Sequence, residues 1–104
     1  MLDAETLSRA FRALAHPRRA MIFRLLAAHP EAGDSFDILA RALGLPPSTV
    51  TPHLREMERC GLVCRQRRGD RTAFELCTDD FIATLQATIS LAERTRTGPL
   101  FEVA

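Results

Sequence analysis

The amino-acid sequence predicts a mostly α-helical α+β fold with the element order α-α-α-α-β-β-α. Two short helical segments are joined through a turn at Gly44, which is the pattern of a helix-turn-helix. Two strand-like runs then flank Gly69-Asp70 and predict a β-hairpin. Amphipathic helical stripes precede and follow this unit. Because 104 residues give room for one core and no linker or repeat interrupts the order, residues 1–104 are predicted to form a single domain.

The composition is that of a folded protein without a membrane segment. Hydrophobic residues make up 46 % of the chain, which is enough for a packed core. No apolar run approaches the roughly 20 residues that span a bilayer. The charges at Asp3, Glu5, Arg9 and Arg12 do not fit a signal peptide. We therefore expect a cytoplasmic protein with no membrane partner.

The distribution of charge is more informative than the net charge, which is only +1. All 14 basic side chains are Arg, and residues 1–74 hold 12 of them against eight acidic residues. Between residues 60 and 71, four Arg accompany a single Asp. Arg suits bidentate contacts with phosphate and guanine, so this nearly neutral chain can still present a local basic surface to nucleic acid.

The first two helices are predicted over residues 5–14 and 18–29, each with an apolar stripe of helical period. The boundary falls at His16-Pro17, because the residue before a proline is pushed out of the helical region. Pro17 can then open the second helix, where its missing N–H costs nothing. Residues 29–34 are predicted to be a loop by their composition.

The third helix, residues 36–43, is predicted to begin at a cap supplied by Ser35 or Asp34. Gly44 follows it, at the position where a residue in the left-handed conformation commonly ends a helix. A short turn after a helix of this length, leading into another helix, is the arrangement that a helix-turn-helix requires.

The fourth helix is predicted over about residues 47–60, opening at two consecutive prolines. Its position after the turn makes it the recognition helix. Pro52 would remove a backbone hydrogen bond within it, so either the helix starts late, near Ser48, or it kinks. The side chains expected to face the core follow at helical spacing: Val50, Leu54 and Met57.

A hairpin is predicted over about residues 62–77, with Gly69-Asp70 at its turn. Pairing the strands about this turn places Cys77 opposite Leu62. A hairpin attached in this way is called a wing, and the whole unit a winged helix-turn-helix. The last helix is predicted over about residues 80–95 and carries a long apolar stripe.

The chain resembles the ArsR/SmtB family of small winged-helix transcriptional repressors in two stretches, FRALAHPRRAMIFRLLA and LGLPPSTVTPHLREMERCGLVCRQRRGDRTAFEL. The resemblance covers roughly residues 8–90. It implies a homodimer paired through the first and last helices, about residues 5–14 and 80–95. It also implies binding to a palindromic double-stranded DNA operator, with the recognition helix in the major groove and the wing on the flanking backbone, which blocks transcription.

Carried onto this chain, the resemblance assigns DNA contacts to polar residues of the recognition helix and to arginines of the wing. Hydroxyl groups and N–H groups at a helix N-terminus suit phosphate, and wing arginines would add affinity that is largely blind to sequence. His53 could instead pack against Leu54 and the neighbouring helix, and the wing arginines could form a solvated hairpin tip. The predicted DNA-binding residues are Ser48, Thr49, Thr51, His53, Arg55, Arg65, Arg67, Arg68 and Arg71.

The first and last helices carry more apolar surface than a monomer of this size needs, which favours a dimer. The tail, residues 97–104, could cover the partner with Leu100, Phe101 and Val103. The predicted dimer interface is Leu7, Phe11, Ile82, Leu85 and Ile89.

Neither of the metal-site patterns known in the family is present. The third helix has Ala40-Arg41-Ala42 where a CxC-type pair would be needed. The last helix contains no His, and its Asp80 and Glu93 are too few ligands for zinc. The sequence therefore predicts that no cofactor is required.

The three cysteines, Cys60, Cys64 and Cys77, are the remaining candidates for a sensor. Their odd number and the absence of a CxxC pair argue against a disulfide scaffold. Three thiolates could bind a thiophilic metal or a metalloid, and two could form a redox disulfide if their Cα atoms lie within about 7 Å. Alternatively, each is a small buried apolar residue.

Two classes of function therefore remain. The first is a dimeric repressor released from its operator by a small inducer, a metal or metalloid, or thiol oxidation. The second is a winged-helix module that binds another protein and no operator. An enzyme is not expected, since no Ser/His/Asp or Cys/His set and no phosphate-binding glycine loop can be placed.

Overall fold

A computed structural model of the protein describes residues 4–96, and the predicted order of elements is confirmed. The predicted tail contacts of Leu100, Phe101 and Val103 lie outside this range. Within it, no helix is long and apolar enough to cross a membrane. The elements are α1 (Ala4–Leu14), α2 (Pro17–Ala28), a 3₁₀ turn (Pro30–Gly33), α3 (Phe36–Leu43), α4 (Pro47–Arg59), β1 (Val63–Arg68), β2 (Arg71–Leu76) and α5 (Asp79–Arg96).

The 3₁₀ turn corrects the prediction of an irregular loop at residues 29–34. The N–H of Ala32 donates to the carbonyl of His29 at 2.9 Å, which closes the turn. Gly33 is buried against β2, where a Cβ atom would overlap the carbonyl oxygen of Phe74. The turn is regular because its backbone packs against a strand, a long-range contact that composition does not encode.

The core lies where α2, α3 and α4 meet the base of the hairpin. The three residues expected to anchor α4, Val50, Leu54 and Met57, are all buried. Full burial of one such side chain contributes roughly 1.5–3 kcal/mol. The largest side chains with almost no exposed surface are Ile22, Leu39, Met57, Leu62 and Val50.

The predicted helix ends are confirmed at the turn of the helix-turn-helix. Ser35, rather than Asp34, caps α3, with its Oγ accepting from the N–H of Ile38 at 3.2 Å. Gly44 ends α3 with φ +67° and ψ 28°, the left-handed conformation expected there. Leu45 then returns its N–H to the carbonyl of Ala40 at 3.3 Å, which fixes the direction in which the chain enters α4.

The hairpin has the predicted register. Val63 pairs with Leu76 and Arg68 pairs with Arg71, so Gly69 and Asp70 form a two-residue turn. Gly69 has φ +67°, the requirement of a II′ turn at its first central position. The N–H of Cys77 donates to the carbonyl of Leu62 at 3.1 Å, which confirms the predicted pairing of those two residues.

Helices α1 and α5 pack side by side. The ring of Phe81 stands edge-to-face on Phe11 at 5.7 Å and on Phe23 at 6.3 Å. Leu7 and Leu85, both predicted for a dimer interface, are half-buried against the core of their own chain. The exposed large apolar side chains of these two helices are Phe11, Ile82, Ile89 and Leu91.

Candidate nucleic-acid interface

Helix α4 begins at Pro47, one residue before the late start near Ser48 that the sequence allowed. Pro47 has no N–H, and the N–H groups of Thr49 and Val50 donate to the carbonyl of Pro46 at 2.9 and 3.1 Å. This N-terminus therefore offers a phosphate fewer free N–H groups than an ordinary helix start. Phosphate contacts here depend on side chains rather than on the helix backbone.

Pro52 lies inside α4, yet the helix continues to Arg59. The missing N–H leaves the carbonyl of Ser48 without its helical donor. The ring of Pro52 is exposed, one turn beyond Ser48 and close to Arg55 on the same face. A rigid apolar ring therefore occupies the middle of the outward face of α4.

The predicted recognition residues divide by exposure. Ser48 and Arg55 are exposed, whereas Thr49, Thr51 and His53 are half-buried. Val50, Leu54 and Met57 hold the opposite side of the helix in the core. Of these five predicted residues, Ser48 and Arg55 are thus the most open to a partner.

His53 packs against the beginning of α2. Its Nδ1 accepts from the Nε of Arg19 at 3.3 Å, and its ring centroid lies 4.4 Å from that of His16. Burial lowers the pKa of His53 below its ordinary value of 6.5, and the nearby His16, Arg19 and Arg18 lower it further. A neutral ring that accepts at Nδ1 carries its proton on Nε2, the nitrogen left for another acceptor.

Two wing arginines are held by acidic residues of their own chain. The Nε of Arg65 lies 2.7 Å from Oε2 of Glu58 in α4, and the guanidinium lies 5.7 Å from the centre of the Phe74 ring. Arg68 lies 3.8 Å from Asp34 and 3.6 Å from Glu75. These exposed ion pairs contribute little stability each, but they fix the direction of each side chain.

The other two wing arginines lie at the tip. Arg67 donates from Nε to the carbonyl of Gly69 at 3.0 Å, a contact that stays within the turn. Arg71 is exposed, as is the whole stretch from Arg65 to Arg71. The tip therefore carries positive charge that no acidic residue in the described part of the chain binds.

A groove of about 330 Å³ separates α4 from the wing. Arg55 of α4 and Arg65 of β1 both line it, on either side of an apolar floor. Two guanidinium groups that converge on one open groove are suited to bind phosphate groups. The remaining lining residues are Phe36, Thr51, Leu54, Thr72 and Phe74.

The structure joins Cys64 and Cys77 in a disulfide, with their Cα atoms 5.8 Å apart. This agrees with the redox-disulfide alternative considered from the sequence, which required Cα atoms within about 7 Å, and not with the alternative of three separate apolar residues. The odd cysteine count was uninformative because the hairpin register, not the number, brings these two residues together. Cys60 is the free thiol, with Sγ 3.8 Å from Oε1 of Glu56.

Among residues 4–96, no group of three or more His, Cys, Asp or Glu side chains is arranged to hold a metal ion. The thiophilic metal or metalloid considered from the sequence would need Cys60, Cys64 and Cys77 together, and two of them are bonded to each other. In this bonded state the Cys64–Cys77 pair is open to thiol–disulfide exchange.

The sequence patterns did not identify several residues that shape this surface. Arg19 and His16 hold His53 from a distant part of the chain, and Glu58 holds Arg65 across the junction between α4 and β1. The only available signal was the set of charges on neighbouring predicted helices, which does not specify pairs. Such contacts follow from the packing of α2, α4 and the wing.

Comparison with known proteins gives consistent results. Residues 14–64 match the family model described as a helix-turn-helix domain. The HTH-type transcriptional regulator YgaV of Escherichia coli K12 is 33 % identical over 87 residues, which cover 81 % of this chain and 86 % of that protein.

Solved structures extend the likeness to the whole fold. An ArsR-like transcriptional regulator from Rhodococcus sp. RHA1 superposes with a TM-score of 0.76 at 22 % identity, covering 96 % of this chain and 93 % of that chain. The homodimeric winged helix-turn-helix DNA-binding domain of Mb0332 from Mycobacterium bovis, a possible ArsR-family regulator, gives a TM-score of 0.64 at 26 % identity. The match covers 90 % of this chain and 83 % of that one.

These relatives are transcriptional regulators rather than enzymes, and their shared element is the DNA-binding unit described above. The fold, the helix-turn-helix match and the identity to a curated regulator agree. The chain belongs to the ArsR family of winged helix-turn-helix transcriptional regulators.

Proposed function

We propose that the protein is a dimeric repressor that binds a palindromic double-stranded DNA operator. The observation that carries this proposal is that exposed polar and basic side chains of α4 and of the wing lie on the two sides of one open groove. Ser48 and Arg55 are exposed on the helix, and Arg67 and Arg71 are exposed at the tip of the wing. The cytoplasm, where chromosomal DNA would be reached, is the proposed location.

The roles within this surface differ. Ser48, Thr51 and Arg55 face the major groove, while Thr49 lies at the start of the same helix. His53 contributes through Nε2 only, because Nδ1 accepts from Arg19. Arg67 and Arg71 bind the flanking phosphates directly. Arg65 and Arg68 join them when a phosphate displaces the carboxylates that hold them.

The dimer forms through α1 and α5. Phe11, Ile82 and Ile89 are between 44 % and 55 % exposed in the single chain, which is high for large apolar side chains on adjacent helices. Covering them with a second copy would set two α4 helices on one side of the DNA, roughly 34 Å apart. A bound dimer at a promoter would then exclude the transcription machinery.

The test is binding of the full chain to a fluorescent mixed-sequence DNA duplex and to duplexes enriched from a random library, each over a range of salt concentrations. We expect affinity to fall steeply as salt rises, because counterions are released from the DNA. Replacing Arg67 and Arg71 by Ala should reduce the slope by about 1–2 units, whereas the Arg24→Ala control on the outer surface of α2 should not.

Sedimentation of the same samples reports the assembly. The expected mass is twice the 11.6 kDa of one chain, and enriched sequences should show two-fold symmetry. A monomer at micromolar concentration, or DNA binding that does not depend on salt, would refute the proposal. An unchanged slope in the double variant would refute the role of the wing tip alone.

A further inference from the structure

The disulfide closes the wing at its base. Cys64 is the second residue of β1 and Cys77 directly follows β2, so the bond joins the two ends of the hairpin. All four wing arginines lie between the two bonded cysteines. Cys77 is also two residues before α5 begins at Asp79. The bond therefore ties the proposed phosphate-binding hairpin to the start of a proposed dimer helix.

The outer part of the wing is held weakly, whereas Val63, Ala73 and Phe74 of the same hairpin are buried. Residues 65–71 are exposed, and their ties to the body of the domain are the ion pairs of Arg65 with Glu58 and of Arg68 with Asp34. A two-stranded hairpin has little stability of its own in water, and exposed ion pairs add little. The order of the outer wing thus depends on its base, which the buried side chains and the disulfide fix together.

Cys77 can be reached from outside the protein. It lines a pocket of about 240 Å³ between α1, the end of α4 and the start of α5. Cys64 does not line that pocket, although both cysteines keep part of their surface exposed. A small thiol or disulfide reagent would therefore meet Cys77 first.

We propose that Cys64 and Cys77 form a reversible redox clamp that orders the wing for DNA binding when oxidised and loosens it when reduced. This inference rests on the proposed DNA-binding function. A protein that binds chromosomal DNA works among reducing thiols, where a disulfide is usually transient or redox-sensing rather than structural. Closing the clamp lowers the entropy that the wing loses on binding, which strengthens binding.

The oxidant is a low-molecular-weight disulfide, RSSR. The thiolate of Cys77 attacks one sulfur of RSSR, which releases RS⁻ and leaves a mixed disulfide on Cys77. The thiolate of Cys64 then attacks Sγ of Cys77 and releases the second RS⁻. Two cysteine thiols are oxidised, two sulfur atoms of RSSR are reduced, and the two thiol protons leave with the RSH products. Reduction by two RSH molecules is the reverse.

Cys60 is a separate thiol near the same pocket. It lines the pocket with Cys77, but its Sγ lies against the carboxylate of Glu56 at 3.8 Å, and it follows α4 rather than the hairpin. A bond from Cys60 to Cys77 would also enclose the hairpin, but it would start from the end of α4, and the structure bonds Cys77 to Cys64 instead. Cys60→Ser is therefore the matched control for the loss of a thiol.

The experiment compares the full chain after equilibration with glutathione disulfide and after reduction with a dithiol, using the mixed-sequence duplex at low salt. We expect the oxidised protein to bind about fivefold more tightly. The Cys60→Ser variant should keep this difference, and the Cys64→Ser/Cys77→Ser variant should bind like the reduced protein in both conditions. Alkylation and peptide mass mapping should find Cys64 bonded to Cys77.

Amide hydrogen exchange gives a second measurement that does not need DNA. Exchange in residues 66–71 should be faster in the reduced protein and in the double variant than in the oxidised protein. Equal or tighter DNA binding after reduction, equal exchange, or a bond between Cys60 and Cys77 would overturn the clamp while leaving DNA binding intact. Absence of salt-dependent DNA binding in both states would overturn the proposed function and the clamp together.

Discussion

Helix α4 and the wing carry the two halves of the proposed DNA surface, and different forces hold them in place. Val50, Leu54 and Met57 fasten α4 to the core with almost no exposed surface. The outer wing is exposed from Arg65 to Arg71 and is held by ion pairs and a covalent bond at its base. Base recognition needs fixed geometry, whereas phosphate contacts tolerate adjustment.

The largest expected effect concerns α4, the half of the surface that is anchored in the core. Leu54→Ala should lower the free energy of unfolding by about 2–5 kcal/mol, because it removes buried methyl groups and leaves a cavity under α4. Ile38→Ala is the matched control, since Ile38 is 41 % exposed on α3 and its truncation opens no buried space. Denaturant unfolding of both variants measures the difference. Similar losses of stability in the two variants would mean that the burial of Leu54 does not anchor α4 in the core.

The contrast between the two halves also explains what the sequence could predict. Helical spacing identified Val50, Leu54 and Met57 because burial of one helix face makes apolar residues recur at a regular interval along the sequence. The hairpin register followed from the turn residues Gly69 and Asp70, since a two-residue turn fixes every pair behind it.

The interactions of the polar side chains could not be predicted in the same way. The bond of Arg19 to His53 joins residues 34 positions apart, and that of Arg65 to Glu58 depends on how β1 leaves α4. The disulfide required both the register and the path of the chain after β2. Local patterns determine elements and faces, whereas these contacts depend on how the elements pack.

The next prediction compares the acidic partners of the wing arginines on the two faces of the hairpin. Glu58→Gln should raise affinity for the mixed-sequence duplex by about two- to fivefold, since it releases Arg65 beside the groove and an exposed pair contributes up to about 1 kcal/mol. Glu75→Gln removes the same charge on the other face of the hairpin, where Arg68 keeps Asp34. It should change affinity less.

Fluorescence anisotropy titrations of the wild type and these two variants distinguish pairing from bulk charge. Equal gains in affinity would show that only the overall negative charge near DNA matters. No gain for Glu58→Gln would show that Arg65 does not reach the DNA in this complex. A gain confined to Glu58→Gln would place the contact on the groove side of the wing.

The smallest expected effect concerns His53, which links the rigid helix α4 to the start of α2. Its pKa is lowered in the folded protein, first by burial and then by the charges of His16, Arg19 and Arg18. The unfolded chain therefore binds a proton at His53 more readily than the folded chain does. Below the ordinary pKa of 6.5, this proton uptake favours the unfolded chain and lowers the stability of the fold. Stability should fall as pH decreases through this value.

The measurement is denaturant unfolding at about pH 7.5 and about pH 5.5, a window that includes the ordinary pKa of His. The wild type should lose more stability across this window than the His53→Gln variant, which keeps a polar side chain but does not titrate. His29→Gln, which alters an exposed histidine beside Glu31, should behave like the wild type. If His53→Gln retained the full loss, the acid sensitivity would belong to other groups, and the contact between α2 and α4 would not depend on a neutral His53.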